Sequence, residues 1–87
     1  MSLQFKRDPR KAKVNLAKHG VWFEEAMTVF GDLLARIFDD EEHSEDEKQE
    51  IIIGHSIQQH LVLVSFTCVE DTIRLLSARK APGAQRL

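Results

Sequence analysis

The spacing of apolar positions changes period partway along this chain. Between Pro9 and His19, Ala12, Asn15, Leu16 and His19 recur at offsets 0, 3, 4 and 7, which places them on one helical face. Asp8 is a good N-cap and Pro9 suits the first helical position, while Gly20 stops the helix. Phe23, Ala26, Met27 and Phe30 repeat the spacing with stronger apolar character. They predict a second helix, with Glu24 and Glu25 in a first turn that favours acids, ending at Gly31-Asp32.

From there the pattern turns β-rich. Strands are predicted over Leu33–Phe38, Ile51–Ile57, Leu61–Val69 and Thr72–Arg79, with a short first strand over Leu3–Arg7. Gly54 inside a strand predicts a bulge or a close approach. The expected order is β-α-α-β-β-β-β. This is an α+β fold, with both helices on one face of a mostly antiparallel sheet. Phe23, Met27, Phe30 and Leu16 are expected to be buried against that sheet.

Length limits the architecture to one domain over residues 1–87, with a small core. Such a core gains from a partner. No apolar run approaches the ~20 residues of a membrane span, and no secretory leader is visible. The single cysteine, Cys68, lies in an apolar run. It reads as a core filler in a reducing cytoplasm. The net charge of −2 conceals an asymmetry: +5 over residues 1–20, −9 over 21–50 and +2 over 51–87. A basic N-terminal segment can attract nucleic acid even in an acidic chain, although a solvated helix face has the same composition.

The candidate chemistry lies in two places. Lys18-His19 closes the first helix, and Arg74 and Arg79 lie on the last strand. Imidazole titrates near neutrality and suits acid–base work, and guanidinium clamps phosphate. The alternative for His19 is a half-buried ring that closes the helix, and for each arginine a surface salt bridge. The odd separation of Arg74 and Arg79 puts them on opposite faces of a regular strand unless a bulge intervenes. Residues 39–50 carry eight acids, mostly spectators, among which Glu47 could orient an imidazole. His43, His55, His60 and Cys68 lack paired-ligand spacing, so no metal and no cofactor is expected.

Taken in order, several segments resemble the BrnT toxin family of BrnT/BrnA-type toxin–antitoxin systems. They are Asp8-Pro9, Lys11, Asn15-Leu16, Lys18-His19-Gly20-Val21, Phe23-Glu24-Glu25-Ala26, Val29-Phe30, Glu42 to Glu47, Ile53-Gly54-His55-Ser56, and Ile73-Arg74 with Ser77-Ala78-Arg79-Lys80. The resemblance covers nearly the whole chain. It implies a RelE-like fold and metal-independent RNA cleavage by 2′-OH attack. It also implies neutralisation by a BrnA-type antitoxin, through which DNA is contacted indirectly. Carried onto this sequence, His19 and Arg79 are the central catalytic residues, supported by Arg74 and Glu47. Lys18, Lys80 and Lys11 would bind RNA. His19 and Arg79 are then expected on a common concave surface. Arg7, Gln49 and the end at Leu87, without the family's charged C-terminal helix, depart from the usual pattern. A second reading is a catalytically weakened member that acts as a protein-binding partner. A metal or small-molecule binding domain has no motif behind it. A homodimer is expected too, with Thr72–Arg79 as an open edge and no membrane association.

Overall fold

Five strands form one mixed sheet in the computed structural model, which describes residues 4–43 and 48–81. The elements are β1 (Gln4–Lys6), α1 (Pro9–His19), α2 (Phe23–Thr28), β2 (Arg36–Asp39), β3 (Gln49–His55), β4 (Leu61–Val69) and β5 (Thr72–Lys80). Short 3-10 turns occupy Val29–Gly31 and Glu41–His43. The spatial order is β1-β5-β4-β3-β2. β2 to β5 form an antiparallel meander, and β1 joins β5 in parallel.

Local chemistry sets the helix ends. The Asp8 carboxylate accepts from the Arg10 N–H at 2.8 Å, and Pro9 opens the first turn. Gly20, at φ 69°, takes the left-handed conformation that ends α1, and its N–H donates to the Leu16 carbonyl. The second helix is shorter than its apolar spacing suggests, because the chain tightens into a 3-10 turn at Val29. Leu33 and Leu34, expected to begin a strand, lie exposed in a turn instead. The Asp32 carboxylate accepts from the Leu34 N–H at 3.0 Å, and this local bond holds the turn and delays β2 to Arg36.

The core lies between the helices and one sheet face. Val21, Phe23, Ala26 and Val29 pack against Ile52, Val62, Val64, Phe66, Ile73, Leu75 and Ala78. Phe30 joins Phe5 and Phe66 edge to face, with ring centroids 5.3 and 5.0 Å apart. Phe23 is fully buried, whereas Met27, Phe30 and Leu16 are half-buried. The β3–β4 register passes Gly54 without a bulge, so close approach accounts for this glycine. A Cβ there would sit 2.7 Å from the Ala35 Cβ and 3.1 Å from the Val29 Cγ1.

Two expectations are corrected. Cys68 is exposed, not a core filler, because it lies at the β4–β5 hairpin end, where its thiol reaches the Glu70 carbonyl. β5 is an interior strand, not an open edge: β4 flanks one side, and β1 and the Asn15 side chain occupy the other. The expected loss of a C-terminal helix falls on residues 82–87, outside the described residues. Among the described residues, no helix is long and apolar enough to cross a membrane.

Candidate functional site

The last strand carries an extra residue. Ser65 pairs with Ser77, but Phe66 pairs with Leu75, so Leu76 has no counterpart on β4. This bulge resets the alternation. Ile73, Leu75 and Ala78 are buried on the helix side, and Arg74, Ser77 and Arg79 fall on the opposite, outer face. The bulge condition raised by the odd spacing is therefore met, and both arginines share one face. Each is exposed.

Beyond its three residues paired to β1, β5 would leave backbone groups open on that side. Asn15 fills the gap. Its side-chain N–H group donates to the Ala78 carbonyl at 2.8 Å, and its carbonyl accepts from the Ala78 N–H at 2.8 Å. The same amide nitrogen donates to the Val21 carbonyl at 3.0 Å. One buried side chain thus imitates a strand residue and joins α1, the α1–α2 turn and β5. Burial makes these bonds necessary, because an unpaired polar group there would cost more than the bond gains.

Alongside this junction runs a groove of about 320 Å³, lined by Arg10, Lys11, Val14, Asn15, Lys18, His19, Leu76 and Ser77. Helical spacing brings Lys11, Asn15 and Lys18 onto one side of α1. The C-terminal end of α1 favours the Lys18 ammonium through the helix dipole, and His19 lies beside it in the last turn. His19 is exposed, and its ring makes no hydrogen bond to a described residue. Lys11 also borders a second recess, with Lys6, Arg7, Asp8, Arg74 and Leu75. The two recesses make a strip rich in cations across α1 and β5; among the described lining residues Asp8 is the one acid, occupied as the helix cap, and Arg7 pairs with Glu24 at 2.6 Å.

The structure thus brings His19, Lys18 and Lys11 together and places Arg74 in the adjoining recess. Arg79 lies outside the groove lining, two residues beyond Ser77 on the outer face of β5. Lys80 faces the other way: it pairs with buried Val62, and its charge acts on Glu25. Glu47 lies outside the described residues. Arg10 and Ser77 were missed by reading the sequence. The adjacency of Arg10 to Lys11 could have revealed the first, but nothing local signals Ser77, since its position depends on the bulge.

A second polar cluster was also missed. Buried Glu25 of α2 accepts a hydrogen bond from the Ser56 hydroxyl at 2.6 Å and lies 2.7 Å from the His60 Nδ1. Burial works against the Glu25 charge. The Ser56 and His60 hydrogen bonds and the pull of His60 and Lys80 outweigh it, holding the carboxyl below its ordinary range. Ser56 donates to the carboxylate, not to the imidazole, so the trio lacks the contact that activates a nucleophile. It latches the β3–β4 turn to α2. Nearby, Asp32 accepts from the His55 and Leu34 backbone N–H groups, which lower its pKa. Among the described residues, no three of His, Cys, Asp and Glu gather to hold a metal ion.

Comparison with known proteins finds similarity in both sequence and structure. A sequence model of a family described as "Ribonuclease toxin, BrnT, of type II toxin-antitoxin system" matches residues 8–83. The crystal structure of the Brucella abortus ribonuclease toxin BrnT superposes with a TM-score of 0.69 at 22% identity, covering 92% of this chain and 97% of that one. No curated protein matches the sequence.

Proposed function

This chain belongs to the BrnT family of ribonuclease toxins from type II toxin–antitoxin systems, and on that premise we propose that it is a metal-independent endoribonuclease with its centre at His19. Type II membership implies an antitoxin partner. We take this partner to be BrnA-type, linking the toxin to DNA only indirectly, and we take the fold to be RelE-like and the site of action to be the cytoplasm.

The observation that carries the reading is the exposed imidazole of His19 in a groove lined by Arg10, Lys11 and Lys18. RNA supplies its own nucleophile. The 2′-OH loses a proton and its oxygen bonds to the adjacent phosphorus. The P–O5′ bond breaks, O5′ gains a proton, and a 2′,3′-cyclic phosphate remains. Imidazole suits either proton transfer, while fixed cations steady the charged phosphorane. His19 is the acid–base group, Arg79 and Arg74 hold phosphate oxygens from the outer face, and Lys11 and Lys18 hold flanking phosphates. Glu47 keeps its proposed supporting role. Lys80 is dropped from the RNA path because it faces Glu25.

The test is cleavage of a labelled RNA by wild type, His19→Ala and Arg79→Ala in the presence of chelator. The wild type should leave cyclic phosphate ends, and His19→Ala should lose about 10²–10⁴-fold in rate. Equal cleavage by all three would remove both residues from the mechanism. No cleavage by the wild type would favour the protein-binding reading instead.

A further inference from the structure

The two edges of the sheet are protected very differently. β1 is three residues long and exposes Gln4 and Lys6, features that blunt an edge. β2, on the other edge, exposes all four of its residues, with Ile37 57% and Phe38 48% accessible. Asp40 donates its N–H to Gln49 of β3 at 2.9 Å, continuing the β2–β3 ladder. Backbone groups alternate sides along a strand, so Arg36, Phe38 and Asp40 bond inward to β3. Ile37 and Asp39 then present their N–H and C=O groups to the open side.

We propose that β2 is a self-association edge, where two copies of this chain pair antiparallel about a two-fold axis at Phe38. Symmetry and charge select this register. A two-fold axis perpendicular to a sheet keeps each side chain on its own face, so the pair must centre on one residue meeting its own copy. Centring on Phe38 sets Ile37 opposite the second copy's Asp39, and both residues have outward backbone groups. Four hydrogen bonds form, and Phe38 meets its copy in the closer, non-hydrogen-bonded type of pair. Arg36 meets the second copy's Asp40 on the same face, so two opposite-charge pairs flank the aromatic pair. Centring on Ile37 would set Arg36 against Phe38 and lose both charge pairs. The sheet becomes ten-stranded across the dimer. The outer faces bearing Arg74 and Arg79 in the two copies lie on one side of it.

Disulfide trapping in a Cys68→Ser background, which removes the exposed native thiol, tests the register. Cα atoms in a non-hydrogen-bonded pair lie ~4.5 Å apart, inside the ~4.4–6.8 Å range of a disulfide. With diamide as oxidant, Phe38→Cys should run largely as a covalent dimer and Ile37→Cys should stay monomeric. Because so small an interface is weak, sedimentation of the full chain is run at a concentration on the order of 100 μM. The wild type should give twice the 10.0 kDa chain mass. Phe38→Lys and Arg36→Asp should give monomer with unchanged circular dichroism, and Arg36→Asp with Asp40→Arg should recover dimer. A monomeric wild type would overturn the proposal. So would a dimer that survives Phe38→Lys, trapping at Ile37 equal to that at Phe38, or a folded double variant that stays monomeric.

Discussion

The histidine clusters around Glu25 and around His19 are built on opposite principles. Around Glu25 the polar groups bond to one another: the carboxylate takes bonds from Ser56 and His60, and the Ser56 oxygen also accepts from the Gln58 and His60 N–H groups. Around His19, side chains of one sign collect beside an exposed ring, and no acid is among the described residues that line the groove. The first arrangement is complete as folded. The second gathers like charges, which costs stability, and becomes favourable when an anion arrives. The contrast explains why an unusual trio such as Glu25–Ser56–His60 is a poor guide to chemistry. Satisfied hydrogen bonds hold a fold together, whereas a reactive site keeps groups available for substrate.

The largest effect on stability should come from the residue that joins the groove to the sheet. Asn15→Leu keeps the approximate size but leaves the buried Ala78 N–H and C=O and the Val21 C=O unpaired. At about 1–3 kcal/mol for each unsatisfied group, the loss should exceed ~3 kcal/mol in urea unfolding at pH 7. A variant as stable as wild type would show that α1 is held by other contacts.

A smaller and pH-dependent loss is expected at the latch. Glu25→Gln should cost about 2 kcal/mol near neutrality, since bonds to a charged acceptor are lost. The folded pKa of Glu25 lies below its ordinary value of 4.5. Its charge therefore contributes stability that is present above pH ~4.5 and is lost as pH falls through the folded value. Asp32 acts in the same direction from its ordinary value of 3.8. Thermal melts from pH 7 to pH 3 should show the gap between wild type and Glu25→Gln closing in acid. A gap that widens in acid would reverse the assigned sign. RNA cleavage by the folded variant should stay at the wild-type rate, which separates latch from groove.

The smallest effect on stability should be at the groove. Lys18→Ala removes an exposed cation from the helix end and should shift unfolding by under about 0.5 kcal/mol. RNA affinity should still fall, and the slope of log affinity against log salt should flatten by roughly one contact. An unchanged salt slope would take Lys18 out of the RNA path.

How much of this was legible from residues alone follows from the range of each interaction. Asp8-Pro9 and Gly20 mark the limits of α1, and the apolar period marks the strand Leu61–Val69 and the α+β class. Capping, left-handed glycine and apolar period act within a few residues. The family resemblance in the sequence also named His19, Lys18 and Lys11, and all three line one groove. The side of β5 that Arg79 occupies depends instead on how β4 and β5 pair. The Leu76 bulge is a mismatch between two strands, and no single strand encodes it. The same holds for Asn15, an ordinary polar residue on a helix until Ala78, 63 positions later, offers its backbone. It holds for Cys68, apolar in its run yet exposed at a hairpin end, and for Glu25, buried because Ser56 and His60 fold over it. These outcomes depend on partners distant in sequence, and short-range propensity carries no record of who those partners will be.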